Sequence, residues 1–454
     1  MKLGLKVLLL IMVASVIYAN EPVNLDQAID IALKNSPTIK VYREQVMQAG
    51  HTINLANAYY NPNLSGNVGY TRRGPKVETG GIVTSPSELS DAGVTVTMPI
   101  DIGGTMALLV KGSKVQYKSG EYALATSVFD LIKNVKTNYL YCLLYKENLD
   151  TAQSALNLSK DYLTKVKQEV EVGTKAHFDI TRQEYDVATR ENALVSAKGN
   201  YDQMINNFNY VLGKNDNFVT PIELVNLNVT NVENIDADLV NIAYDNRPEL
   251  KKANEDLEVL KLSVLKEKKT NNPSLNLVGN YDYLLVNQTE SDRDSWSATA
   301  NLSIPIFDGG IQKQNTKIAE SKVDAQNSQI EATKQGITTG VLNAKIAVLT
   351  SKEQIDTCES AVKLAKESYE IAKIRYEQNL GTHLDVSDAL DSLVSAQNSL
   401  SAAKFSYAVN MCALEREIAT TSNAYEYTDT IVNEINDIIK YKAKAKGESK
   451  WKEK

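Results

Sequence analysis

Cysteine, histidine and tryptophan are scarce in this chain, at three, three and two residues among 454. Three cysteines cannot build a disulfide framework. Cys142, Cys358 and Cys412 fall in helical stretches and read as small buried residues. His51, His177 and His383 stand apart, without the paired spacing of a metal site, and read as surface or turn histidines. No phosphate-cradling loop, nucleophile elbow or zinc signature occurs, so no catalytic residue, cofactor or metal ligand is expected. Proline numbers only 10, under half its usual share, which favours long uninterrupted helices over several compact domains. Acidic side chains outnumber basic ones by 56 to 49, a formal charge of −7, leaving no electrostatic footprint for nucleic acid. Hydrophobic content of 43% excludes a disordered chain.

The longest apolar run lies at the start. Lys2 and Lys6 precede a nearly unbroken apolar stretch from Val7 to Val16, and Ala19 offers a small residue for cleavage. Residues 1–19 read as a secretory signal peptide, the apolar core being shorter than the ~20 residues of a spanning helix. Loss of Lys2 and Lys6 takes the charge from −7 to −9. No Cys follows the cut to carry a lipid, and no later window resembles a transmembrane helix.

An internal duplication organises the rest. Asn35-Ser36-Pro37 matches Asn246-Arg247-Pro248, and Asn61-Pro62-Asn63-Leu64 matches Asn272-Pro273-Ser274-Leu275, both at an offset of 211. The offset then becomes 206, pairing Pro99-Ile100-Asp101-Ile102-Gly103-Gly104 with Pro305-Ile306-Phe307-Asp308-Gly309-Gly310, and Asp179 with Asp385. A shorter surface loop in the second copy accounts for the change. The first repeat is expected over 20–245, with a hairpin at about 61–101, a long helix pair at about 105–212 and a linker at 213–245. The second is expected over 246–420, with a hairpin at about 273–306 and a helix pair at about 310–420. Residues 421–454 form an equatorial or disordered tail, which turns basic from Tyr441 and there reads as a solvated, poorly ordered extension.

The helical parts carry heptads at matching places. Ile355, Val362, Tyr369 and Tyr376 are seven apart, with Cys358, Ala365 and Ala372 between them, and the first copy has Leu149, Leu156, Leu163 and Val170 with Ala152, Ser159 and Val166. Ile180, Val187, Leu194, Tyr201 and Phe208 continue the pattern, matched by Val386, Leu393, Leu400, Tyr407 and Leu414. A strict period of seven predicts left-handed coiled-coil packing. Gly173 and Gly381 are expected to mark where each long helix turns back.

Between helices the period drops to two. Leu64, Gly66, Val68 and Tyr70 alternate with polar or small residues, as do Ala92, Val94, Val96 and Met98; Leu275, Leu277 and Tyr281; and Trp296, Ala298, Ala300, Leu302 and Ile304. Such segments of about ten residues, arranged as hairpins with polar tips in an exported chain, suit transmembrane β-strands. Four strands cannot close a barrel, and an open edge in lipid would leave backbone groups unpaired. Three copies would supply twelve. The helices are too rich in charged residues for lipid and must project into water.

These residues resemble the TolC-type outer-membrane efflux protein family. The likeness rests on Leu25-Asp26-Gln27-Ala28-Ile29-Asp30-Ile31-Ala32-Leu33-Lys34-Asn35-Ser36-Pro37, the Pro-Ile-X-X-Gly-Gly junctions, and Asp385-Val386-Ser387-Asp388-Ala389-Leu390, and spans Leu25 to about Ala419. It implies an α+β membrane protein: a homotrimeric 12-stranded outer-membrane β-barrel continuous with a periplasmic α-helical barrel. The implied activity is that of a passive exit duct for efflux or type I secretion. Its partners would be two further copies of the chain, a periplasmic adaptor (membrane fusion) protein, an inner-membrane transporter of RND or ABC type and outer-membrane lipid, with no nucleic acid.

The resemblance also singles out Asp385 and Asp388 as the pore gate. Residues three apart on a helix lie on neighbouring sides, so both can face a pore, and a helix N-terminal turn offsetting the macrodipole is the simpler use of the same carboxylates. Asp179 and Tyr376 occupy positions of a gate latch, while Gly381 stands where the family pattern needs an Arg, so the latch is either weaker or built from other residues such as His383 or Arg182. The helix-hairpin tips Val172-Gly173-Thr174 and Leu380-Gly381-Thr382 are the expected adaptor-docking points. A helical sensor would need a spanning helix, and an exported trimeric coiled-coil adhesive protein gives no reason for four amphipathic strands inserted at matched places.

Overall fold

The structure, a computed structural model, describes residues 21–72, 74, 77–80, 82–85, 88–214, 219–221, 238–286, 294–378, 380–421 and 423–448. The expected signal segment lies outside them. The elements run β1 (Glu21–Val23), α1 (Leu25–Asn35), α2 (Pro37–Ala58), β2 (Asn63–Arg72), β3 (Val77–Thr79), β4 (Ile82–Ser85), β5 (Glu88–Ile100), α3 (Thr105–Glu171), α4 (His177–Val211) and β6 (Val219–Pro221). They continue with α5 (Asp238–Asn246), α6 (Pro248–Lys268), β7 (Ser274–Val286), β8 (Asp294–Ser303), α7 (Ile311–Glu377), α8 (His383–Glu417) and α9 (Ala424–Glu448). The chain divides into two compact units, Met1–Pro37, Phe129–Leu239 and Gly340–Thr421 in one, and Thr38–Val128, Val240–Thr339 and Ser422–Lys454 in the other.

The matched Pro37 and Pro248 each begin a helix just after another has ended. Proline supplies no N–H and holds the preceding residue out of helical geometry, so Ser36 and Arg247 take ψ 120° and 122°. The helix start at Leu25 is set by Asn24, whose side chain accepts from Gln27 N–H at 2.9 Å while Gln27 Oε1 accepts from Asn24 N–H at 3.1 Å. The long helices match across the chain: α3 and α7 have 67 residues each, α4 and α8 have 35 each. Gly112 and Gly120 leave α3 unbroken. Every heptad residue named above is buried or half-buried, and from Ile355 to Tyr376 the residues between them are nearly all exposed.

In the first unit the packing centres on Phe129, Ile132, Tyr139, Phe208 and Leu212, all fully buried, with the Tyr139 and Phe208 rings edge to face at 5.9 Å. Within the range expected as a linker, β6 pairs in parallel with β1, Glu21 opposite Val219, and the fully buried Asn209 side chain bonds both ways to the Val219 backbone. At the end of α4, Gly213 takes φ +67° and Lys214 N–H reaches Asn209 C=O at 3.0 Å, a Schellman turn. Gly173 closes α3 likewise, at φ +80° with Thr174 N–H bonded to Glu169 C=O. Gly381 lies in the turn between α7 and α8, as expected, and the bond equivalent to that of Thr174, Leu380 N–H to Arg375 C=O at 2.8 Å, closes α7 just before it.

The second unit holds a four-stranded antiparallel sheet of order β2-β5-β7-β8. The strands have 10, 13, 13 and 10 residues, so the expected hairpins form and join through β5 and β7. Register runs Asn63↔Thr97 to Arg72↔Glu88, Ile100↔Leu275 to Ser90↔Val286, and Ser274↔Ser303 to Tyr283↔Asp294, with an irregularity at Ser90/Asp91. Period-two alternation puts Leu64, Val68, Tyr70, Val94, Val96, Leu277, Tyr281, Trp296 and Leu302 together on one exposed face. A short β3–β4 ribbon extends the first hairpin. Asp101 and Asp308 in the matched junctions cap the following helices, through Ala107 N–H at 2.9 Å and Gln312 N–H at 2.8 Å. In the segment expected as an equatorial or disordered tail, α9 is helical as far as Glu448, and Tyr425 and Asn436 bond to Asn246 C=O and the Tyr117 hydroxyl. Its amphipathic first half has a buried face to pack, which the basic run after it concealed.

Candidate functional site

The residues singled out from sequence gather in the first unit, where α3 turns into α4 and α7 into α8. Asp385 lies in the first turn of α8 as half of a capping box: its Oδ2 accepts from Thr382 N–H at 2.7 Å and Thr382 Oγ1 at 2.9 Å. Those bonds, the backbone one first, and the nearby Arg375 guanidinium hold its carboxyl below the usual carboxylate range. Asp388 follows on the same side, and both are exposed. With Arg375 and Ser392 they line an open concavity of about 350 Å³. One oxygen of Asp385 thus caps the helix while the side chain stays exposed.

Asp179 opens α4 in the same manner, accepting from Ala176 N–H at 3.2 Å. Tyr376 is buried at 3% exposure, its ring 5.5 Å from that of Tyr162, with Lys175 Nζ 3.8 Å from the ring centroid. Burial, and after it the Asp179 charge, raises the Tyr376 pKa. No hydrogen bond joins Asp179 to Tyr376 among the described residues, and the Tyr376 hydroxyl has no hydrogen-bond partner there. Val172, Phe178 and Leu380 are exposed apolar side chains at the hairpin ends.

His383 is not the surface histidine its isolation in sequence suggested. It is 6% exposed, between the rings of Tyr162 and Tyr376 at 5.9 and 6.5 Å, and its Nε2 is hydrogen-bonded to Gln183 Oε1. First position on α8, it folds back over the seam with α4 rather than out to solvent.

Next to it lies a polar cluster that sequence reading passed over. Asp186 accepts from Ser159 Oγ at 2.7 Å, Arg190 Nε at 3.0 Å and Ser387 Oγ at 3.0 Å. Burial pushes its carboxyl up, but the bonds from Ser159 and Arg190 outweigh it and leave it below the usual range. Arg190, 6% exposed, also places Nη1 3.1 Å from Asp391 Oδ1. Gln183 donates to both oxygens of Ser159, at 3.0 and 2.9 Å. A signal was present: Gln183 and Arg190 stand three residues after the heptad positions Ile180 and Val187, in slots that a coiled coil normally fills with apolar side chains.

Among the described residues no group of His, Cys, Asp or Glu could hold a metal ion, and no helix is long and apolar enough to cross a membrane.

A model of the outer membrane efflux protein family matches residues 28–214 and 239–419. The solvent efflux pump outer membrane protein SrpC of Pseudomonas putida is 23% identical over 382 residues, 82% of this chain and 80% of that protein. Outer membrane protein TolC of Vibrio cholerae is 22% identical over 416 residues, 88% of this chain and 91% of that protein. The fold is shared with the CmeC outer membrane channel of Campylobacter jejuni, at TM-score 0.74, 21% identity and 89% coverage of both chains. It is also shared with VceC of Vibrio cholerae, at TM-score 0.71 and 18% identity, covering 87% of this chain and 95% of that one. The family match takes in the heptad helices and all four strands of the large sheet, and the chain belongs to the outer membrane efflux protein family, with its place in the outer membrane.

Proposed function

We propose that this protein is the exit duct of a tripartite efflux or type I secretion system, conducting substrates passively from a periplasmic adaptor and an inner-membrane transporter to the exterior. The observation that carries this reading is the sheet β2-β5-β7-β8, which has an exposed apolar face and two open edges, β2 and β8. Lipid would accept the face but not the edges, whose N–H and C=O groups would lie unpaired in hydrocarbon. Joining β8 of one copy to β2 of the next removes every edge, and three copies make a closed barrel of twelve strands. The long helices, heptad-packed and polar outside, would form the periplasmic conduit, each protomer adding two matched hairpins.

In that assembly Asp385 and Asp388 would set six carboxylates around the periplasmic mouth, a ring that favours cations. Asp179 and Tyr376 would belong to the latch holding it shut. The tips Val172-Gly173-Thr174 and Leu380-Gly381-Thr382 would dock the adaptor, an apolar contact supported by the 75% and 66% exposure of Val172 and Leu380. SrpC is named for solvent efflux; substrate choice in this chain would follow the transporter it serves. Reconstitution of the purified protein in planar bilayers tests the reading. Stepwise conductance and a trimeric mass in detergent are expected, and inserted protein that carries no current would overturn the duct.

A further inference from the structure

Arg375 lies in the last turn of α7, opposite the carboxylates of α8. Ser368, Ile371 and Arg375 recur at intervals of three and four on α7, and Asp385, Asp388 and Ser392 do the same on α8, so one face of each helix lines the concavity of about 350 Å³. The Arg375 Nη2 donates to Leu380 C=O at 3.4 Å, which sets the guanidinium over the end of α7. Gly381 keeps the space beside it open: a Cβ there would stand 3.3 Å from Arg375 Cβ and 3.5 Å from Asp385 Oδ2.

Arg375, Asp385 and Asp388 are all exposed, and among the described residues Arg375 forms no ion pair with either carboxylate. Its charge still reaches Asp385, whose carboxyl it helps to hold below the usual range. A basic side chain kept only to finish a helix serves the last carbonyls and the macrodipole from any side of that helix. This one stands on the side that faces the carboxylates. A cation near them but not bonded to them subtracts from their joint field without removing either one as a binding group.

We infer that Arg375 sets the charge selectivity of the periplasmic mouth. Three guanidinium groups set among six carboxylates halve the negative charge there, and so admit anionic and zwitterionic organic solutes that a bare acidic ring would turn away. The inference rests on the duct reading above, in which Asp385 and Asp388 face the conduit.

The test is the reversal potential of the full-length protein in planar bilayers under a potassium chloride gradient, which gives the ratio of cation to anion permeability. At about 0.1 M salt, Arg375→Gln should raise that ratio about fivefold, the effect of taking three screened charges from within about 10 Å of the passing ion. Arg375→Lys keeps the charge without the planar fork and should stay near the wild type. At about 1 M salt, where screening acts within about 3 Å, the Arg375→Gln difference should all but vanish, which a change in helix packing would not do. If Arg375→Gln fails to insert, Ser392→Lys adds a positive charge to the same concavity and should lower the ratio. With wild-type current flowing, an unmoved ratio in Arg375→Gln or Ser392→Lys, or an Arg375→Lys that behaves as Arg375→Gln does, overturns the inference and leaves the duct standing. No current from the wild type overturns the duct, and the inference with it.

Discussion

Lys136 Nζ lies 2.6 Å from Glu415 Oε2, a salt bridge from α3 to α8 in which the lysine side chain is only 10% exposed and the glutamate 27%. Removing one partner strands the other charge in a poorly solvated seam, whereas removing both leaves nothing to solvate. Lys136→Met should therefore lower stability by about 2–3 kcal/mol, and Lys136→Met with Glu415→Leu should recover most of it. Guanidinium unfolding of the detergent-solubilised protein, followed by helical circular dichroism, measures both. Equal losses in the single and double variants would assign the pair no such role.

Gly213 and Ala419 occupy the same place at the ends of α4 and α8, and both backbones are left-handed, φ +67° and +52°. Glycine pays no penalty there and alanine does. Ala419→Gly should stabilise the protein by about 1 kcal/mol. The reverse change, Gly213→Ala, should destabilise it by more than that, because the new Cβ would stand 3.1–3.2 Å from Asn35 Cβ, C and O. Paired melting curves decide it, and a stabilising Gly213→Ala would contradict the account.

The His383 pKa is depressed by burial first, with the Arg182 and Arg190 charges adding to it and Asp186 and Asp179 opposing. The unfolded chain, with an ordinary histidine near pH 6.5, takes up the proton first as acid is added. The contribution of neutral His383 is thus complete above that pH and is lost as pH falls from about 6.5 toward the lower folded value. The melting temperature should drop as pH falls below about 6.5, and less steeply in His383→Gln. Parallel slopes would mean that folded and unfolded His383 take up the proton alike, contrary to a depressed pKa.

Asp385 and Asp388 side by side on an exposed face predict cation block. Asp385→Asn with Asp388→Asn should abolish block of single-channel current by a trivalent cation such as hexamminecobalt. Because its carboxyl is held below the usual range, chiefly by Thr382 N–H, Asp385 should sustain block in Asp388→Asn down to that lower pH. Unchanged block in the double variant would take the gate away from these residues.

Much of this molecule is legible from spacing. Ile355, Cys358, Val362, Ala365, Tyr369, Ala372 and Tyr376 are the inward face of α7. Gly173 ends α3, and Pro37 and Pro248 start α2 and α6. The misreading at the site has a physical cause. His383 looked solitary because its companions, Gln183, Tyr162 and Tyr376, are brought to it from three other helices.

The sequence by itself determined which residues turn inward and where each element stops, because helix and strand periods of 3.6 and 2 and the special backbones of proline and glycine act within a few residues. Only the tertiary structure decided partners. A heptad says that a face is buried without saying against what, so the pairing of Gln183 with His383, 200 positions apart, came from the packing of α4 on α8. The alignment of β5 with β7, Val94 opposite Tyr281, likewise depends on how two hairpins meet, since backbone hydrogen bonds are the same for every strand that could have added at that edge.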